Sequence, residues 1–176
     1  MKNVVIGILA GAGLVLAPPV LAGDHAYVGA AKCKMCHSSA AKGAQYPKWA
    51  ESKHSKAYAA LATEEAKKFG EARGVTDPQK DPKCLKCHVS GFDAPPAQRL
   101  ETWKAEDGVG CESCHGPGGD YWKMTVMKDK NAAIAAGLKI PDEKTCRGCH
   151  NPESPSYKEF DYKSFHEKIA HPLPAK

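Results

Sequence analysis

A mainly α-helical fold of short helices and loops, with little or no sheet, is what the 176-residue sequence predicts, on three observations. Core-forming side chains are scarce: from residue 23 onward, 17 of 154 residues are Leu, Ile, Val or Phe. A share below about 20% buries too little apolar area to offset chain entropy, unless something other than side chains fills the centre. Apolar residues recur at helical spacing in several segments, whereas no run alternates with the period of two that marks a half-buried strand. All eight cysteines fall in four copies of one five-residue pattern, so a single repeated device accounts for them.

The elements follow in chain order. Met1-Lys2-Asn3 is a short basic start, Val4 to Leu16 is apolar, and Val20-Leu21-Ala22 puts small residues at a cleavage point. Residues 1–22 therefore read as a cleaved signal peptide, too short in its apolar run for a comfortable membrane span, which leaves 23–176 as one domain with no stable membrane insertion. Asp24 to Lys32 is a lead-in. Gln45 to Phe69 is the strongest helix candidate, with Ala50, His54, Ala57, Tyr58 and Leu61 on one stripe. Gly70 to Lys83 is polar and turn-rich. Val89 to Gly110 reads as a loop with a short helix around Gln98 to Lys104, and Gly116-Pro117-Gly118-Gly119 as a tight turn. Asn131 to Leu138 and Tyr157 to Ala170 are the last helices, the second stopped by Pro172 and Pro174.

The repeated pattern is Cys33-Lys-Met-Cys36-His37, Cys84-Leu-Lys-Cys87-His88, Cys111-Glu-Ser-Cys114-His115 and Cys146-Arg-Gly-Cys149-His150. One chance match has a probability on the order of a hundredth at this composition, so four are not chance. Zinc ribbons and disulfide scaffolds also use paired cysteines, but neither requires a His directly after every pair. The c-type haem attachment site does: one helical turn presents both thiols to the two vinyl groups on a porphyrin edge, and the next residue's imidazole reaches the iron. Four covalently bound haem c groups are expected. Roughly 38 residues per haem force close haem packing, and the porphyrins supply the missing core.

The sixth iron ligand separates electron transfer from small-molecule chemistry, because a haem with both faces ligated has no open position. Outside the motifs the histidines are His25, His54, His166 and His171, four candidates for four positions. His54 lies on the apolar stripe with Tyr58 and Leu61, and His171 precedes Pro172 at the end of the last helix. Met124 and Met127 flank Val126, and a thioether is an accepted ligand that raises the potential. Formal charge after cleavage is 24 Lys and Arg against 20 Asp and Glu, too mild and too evenly spread to argue for nucleic acid.

Gly110-Cys111-Glu112-Ser113-Cys114-His115-Gly116-Pro117-Gly118 resembles the tetrahaem cytochrome c-554 family, as does Cys84-Leu-Lys-Cys87-His88-Val89-Ser90-Gly91-Phe92. Tyr27-Val28-Gly29 before Cys33, and Trp49 five residues before His54, fit as well. The resemblance runs from about Tyr27 to His171 and implies a helical fold around stacked haem pairs that relays electrons, as from hydroxylamine oxidoreductase. By position, His54 resembles the distal ligand of haem 4 and His171 that of haem 3, while haem 2, on Cys84, Cys87 and His88, is implied to be five-coordinate. Where the family has a distal His for haem 1, ten residues after the third motif, this chain has Thr125. Met127 is the favoured replacement, with His25 or Met124 as alternatives.

The expected function is a periplasmic tetrahaem cytochrome, with the outer surface as a second location, that passes single electrons between redox partner proteins. Lys32, Lys34, Lys53 and Lys56 offer a positive surface to an acidic partner. Two alternatives differ in class. An open haem 2 would reduce nitric oxide, hydroxylamine or nitrite, and a His25 donated to a neighbouring subunit would build a conducting filament.

Overall fold

A computed structural model describes residues 25–171. The expected signal segment, 1–22, and the prolines at 172 and 174 lie outside the described residues. The expected helical fold is present. In order come α1 (Ala30–His37), α2 (Gln45–Glu51), α3 (Ala57–Ala60), α4 (Glu64–Glu71), α5 (Pro82–His88), α6 (Cys111–His115), α7 (Met124–Met127), α8 (Lys130–Ala135), α9 (Glu143–Arg147) and α10 (Tyr162–Ile169). Among the described residues no strand ladder forms. One isolated parallel bridge joins Tyr27 to Arg99, closed by Tyr27 N–H to the Gln98 carbonyl at 2.7 Å and Leu100 N–H to the Tyr27 carbonyl at 2.9 Å.

The segment expected as one helix, Gln45 to Phe69, is three. Serine hydroxyls compete for backbone groups and break it. Ser55 Oγ donates to the carbonyls of Ala50 and Ser52, both at 2.9 Å, and the His54 N–H donates to Ser52 Oγ at 3.2 Å. Thr63 then caps α4 by accepting the Ala66 N–H at 3.2 Å. His54 therefore sits in the turn between α2 and α3. Its carbonyl accepts the Val109 N–H at 3.0 Å, which ties this turn to the strap before the third motif. The close approach depends on Gly108, at φ +62°, where an added Cβ would lie 2.7 Å from the His54 carbonyl oxygen.

Two other boundaries differ from expectation. No helix covers Gln98 to Lys104; short 3₁₀ turns at Pro96–Gln98 and Ala105–Asp107 flank the bridge residue Arg99 instead. The last helix starts at Tyr162, five residues late, because Asp161 is its cap and accepts the Ser164 N–H at 2.8 Å.

Buried apolar side chains are small and scattered among the described residues: Val28, Ala30, Leu61, Val75, Val89, Ala94, Tyr121, Ala133 and Phe160. No large side chain among them makes a centre, Val28 being the largest that is fully enclosed. Polar links replace it. Glu112, 5% exposed, accepts the N–H groups of Val28 and Gly29, each at 2.8 Å, and of Gly118 at 2.6 Å. Asp107 accepts the Ala30 N–H at 2.9 Å, so two carboxylates fasten the chain entering α1 to the region of the third motif.

Candidate functional site

Each motif occupies about one helical turn. The first closes α1, the second closes α5 and the third is the whole of α6, while in the fourth α9 carries Cys146 and the chain turns before Cys149 and His150. Residues three apart on such a turn share a face, so both thiols of a pair project the same way. Two pairs of motifs come together. The Cys33 thiol is hydrogen-bonded to Cys111, which lowers Cys33 and raises Cys111. Likewise Cys87 meets Cys149, which brings Cys87 down to about 7 and pushes Cys149 up. First pairs with third and second with fourth. No three His, Cys, Asp or Glu side chains converge on a metal-ion site among the described residues, so the cysteine pairs do not assemble a zinc cluster.

The motif histidines are oriented through one ring nitrogen. His88 Nδ1 donates to the Ala57 carbonyl at 2.7 Å, His115 Nδ1 to the Lys139 carbonyl at 3.1 Å, and His37 Nδ1 lies 3.3 Å from Gln45 Oε1. A carbonyl only accepts, so the proton resides on Nδ1 and Nε2 keeps a lone pair for iron. His150 is held by stacking on Phe160, with centroids 4.8 Å apart and planes at 14°.

Two of these imidazoles face a second imidazole from outside the motifs. His54 and His150 have centroids 6.1 Å apart, and His115 and His171 6.0 Å. Two imidazoles on opposite faces of one iron, each bonded at about 2 Å, have centroids about 6 Å apart, so both spacings fit a haem ligated on both faces. His171 Nδ1 donates to the Ile169 carbonyl at 3.1 Å, again leaving Nε2 free. Burial pushes the pKa of His54, His115 and His150 below the ordinary value, with the facing His150 adding to the effect at His54. Burial thus favours the neutral, ligating form.

The second motif lies on a cavity of about 450 Å³ whose lining includes Cys84, Cys87, His88, Phe69, Arg73 and Pro155. Neither a second His nor a Met lines it. Met127 ends α7 half-buried, and Met124 is 60% exposed. His166 is exposed on α10 beside Tyr162, and His25 is bonded to Asp120. Sequence reasoning missed Glu112, Asp107 and Asp120. Of these only Glu112 carried a local signal, as an acidic residue inside a motif otherwise flanked by glycines.

Comparison with known proteins agrees with this arrangement. The family model described as cytochrome c554 and c-prime matches residues 32–116, the stretch containing the first three motifs. Cytochrome c-554 of Nitrosomonas europaea is 33% identical over 146 residues, covering 74% of this chain and 60% of that protein. The chain thus spans 60% of the length of the curated relative that it matches. No solved structure matches. No helix among the described residues is long and apolar enough to cross a membrane. With the motifs, the oriented histidines and this relationship together, the chain belongs to the cytochrome c-554 family of c-type cytochromes, electron-transfer proteins with covalently bound haem c.

Proposed function

We propose that this chain is a periplasmic tetrahaem cytochrome that relays single electrons between redox partner proteins after removal of residues 1–22. Each Cys-x-x-Cys-His motif holds one haem: Cys33 and Cys36 with His37, Cys84 and Cys87 with His88, Cys111 and Cys114 with His115, Cys146 and Cys149 with His150. Haem c supplies an iron that gains and loses one electron. The chain supplies position and potential. His54 ligates opposite His150 and His171 opposite His115, which fills both faces at haems 4 and 3. His88 holds haem 2 beside the cavity with no second ligand, and haem 1 has His37 with Met127 or His25 as its second ligand. The two facing histidine pairs, at 6.1 and 6.0 Å, carry this reading, because a haem ligated on both faces changes charge with little rearrangement.

Low-temperature electron paramagnetic resonance with a redox titration tests it. Four one-electron centres are expected, one of them high-spin. His54→Ala should convert one low-spin haem to high-spin, and a variant whose haem spectra all match the wild type removes the ligand assignment.

The cavity favours a second activity at haem 2, reduction of a small nitrogen oxide or hydroxylamine, since Arg73, Lys83 and Lys86 line it with Glu153. A high-spin signal that shifts on adding nitric oxide supports this activity. Four low-spin haems indifferent to it exclude the activity. The filament alternative is less favoured, because His25 is engaged by Asp120 of its own chain.

A further inference from the structure

Of the four histidines outside the motifs, two face motif histidines and His166 is exposed. His25 is held differently. Its Nδ1 is hydrogen-bonded to an oxygen of the Asp120 carboxylate. A carboxylate accepts only, so Nδ1 carries the proton and Nε2 keeps its lone pair, the arrangement that orients metal-ligating histidines and raises their basicity.

Gly137 supports the ring from one side. A Cβ added at Gly137 would lie 3.1 Å from Cδ2, 3.1 Å from Nε2 and 3.5 Å from Cε1 of His25. An approach along the ring plane would leave Cε1 far more distant than the other two. These near-equal distances belong to contact with the flat face, so the in-plane direction of the Nε2 lone pair is not blocked by Gly137. At φ +100°, position 137 also suits glycine.

The remaining step is to decide which iron this nitrogen serves. His25 lies in the half of the molecule that contains the first and third motifs. Next to it, the Gly119 N–H donates to the Ala26 carbonyl at 2.8 Å, and Val28 and Gly29 bond Glu112 inside the third motif. Lys32 of α1 lies over the Trp122 ring at 4.8 Å, two residues beyond Asp120. In this half His115 already faces His171, so the motif histidine without a facing imidazole is His37. We propose that His25, positioned by Asp120 and Gly137, is the sixth ligand of the haem attached at Cys33 and Cys36, opposite His37. This rests on each motif carrying a haem, and it replaces Met127 at that iron.

Full-length holoprotein tests the assignment. Haem is first counted by pyridine haemochrome absorbance and intact mass, and low-spin haems by electron paramagnetic resonance and near-infrared magnetic circular dichroism. Wild type should hold four haems, three of them bis-imidazole, with no thioether-to-iron charge-transfer band. His25→Ala should lose one low-spin signal, distinct from those lost in His54→Ala and His171→Ala, and added imidazole should restore it. His25→Met guards against a folding failure in the alanine variant: it should keep four haems, gain the thioether band and raise one midpoint potential. Asp120→Asn should keep the coordination yet raise the same potential, since the imidazole then donates less to iron. Four haems with an unchanged low-spin count in His25→Ala overturn the proposal alone, as does a wild-type thioether band abolished in Met127→Ala. A wild-type count below four with the first motif unmodified overturns the tetrahaem reading and this proposal with it.

Discussion

Glu112 stands between two haem-bearing cysteines, yet its work is mechanical. It accepts three backbone N–H groups, from Val28, Gly29 and Gly118. Glu112→Ala would orphan three buried donors at about 1–3 kcal/mol each. The holoprotein should lose roughly 3–5 kcal/mol in guanidinium titrations followed by circular dichroism, with Glu112→Gln losing less. The histidines fix a pH dependence. Burial lowers His54, His115 and His150, whereas unfolded imidazole takes its proton near about 6.5, so below that pH the unfolded chain binds more protons. Their contribution is present above about 6.5 and is lost as pH falls towards the depressed folded values. Burial raises Glu112 and Asp107, which act in the opposite sense but only in the more acid carboxylate range. Unfolding midpoints should therefore fall between pH 7.5 and 6; a midpoint that rises there would contradict the assignment. At this scale the sequence was uneven. Motif residues were legible because spacing alone defines them, but Asp120 and Gln45 act on histidines 95 and 8 positions away. No local pattern announces such partners.

At the level of elements, the turn between α2 and α3 matters most. The stripe holding His54, Ala57, Tyr58 and Leu61 correctly marked an inward face, with Leu61 buried and His54 facing His150. Helix continuity was misjudged. Ser52, Ser55 and Thr63 were visible breakers, but the contact that fixes the break, the Val109 N–H on the His54 carbonyl, spans more than fifty positions. Gly108→Ala should show how closely this turn is set. Its Cβ would enter within 2.7 Å of the His54 carbonyl oxygen, at a backbone angle that strains an L-residue by about 1–2 kcal/mol. The fourth haem should become partly high-spin while the spectrum assigned to His115 and His171 stays as in wild type. An unperturbed fourth haem would mean that the loop yields freely.

The whole molecule lacks the side chains to hold itself together, and this was the most legible property of all. A count of Leu, Ile, Val and Phe predicted a centre not made of side chains, and the buried apolar residues are indeed few and small. Chain produced without haem attachment, with cysteines kept reduced, should accordingly give the far-UV circular dichroism of a largely unfolded polypeptide and a broad, uncooperative thermal profile. A cooperative transition in that material would show that the protein part suffices. The sequence did not show which motif lies against which, because thiol contacts between distant segments leave no periodic trace.

That partnering, first with third and second with fourth, bears on how the molecule is made. A chain emerging amino end first exposes two haem-bearing segments before either counterpart has appeared. Neither half can close until its later segment arrives, and no cut between Cys87 and Cys111 releases a piece able to fold by itself. Maturation must then keep the early segments from clumping or swapping between neighbouring nascent chains, and a tandem duplication of two-haem units is a poor account of how such an interleaved chain arose.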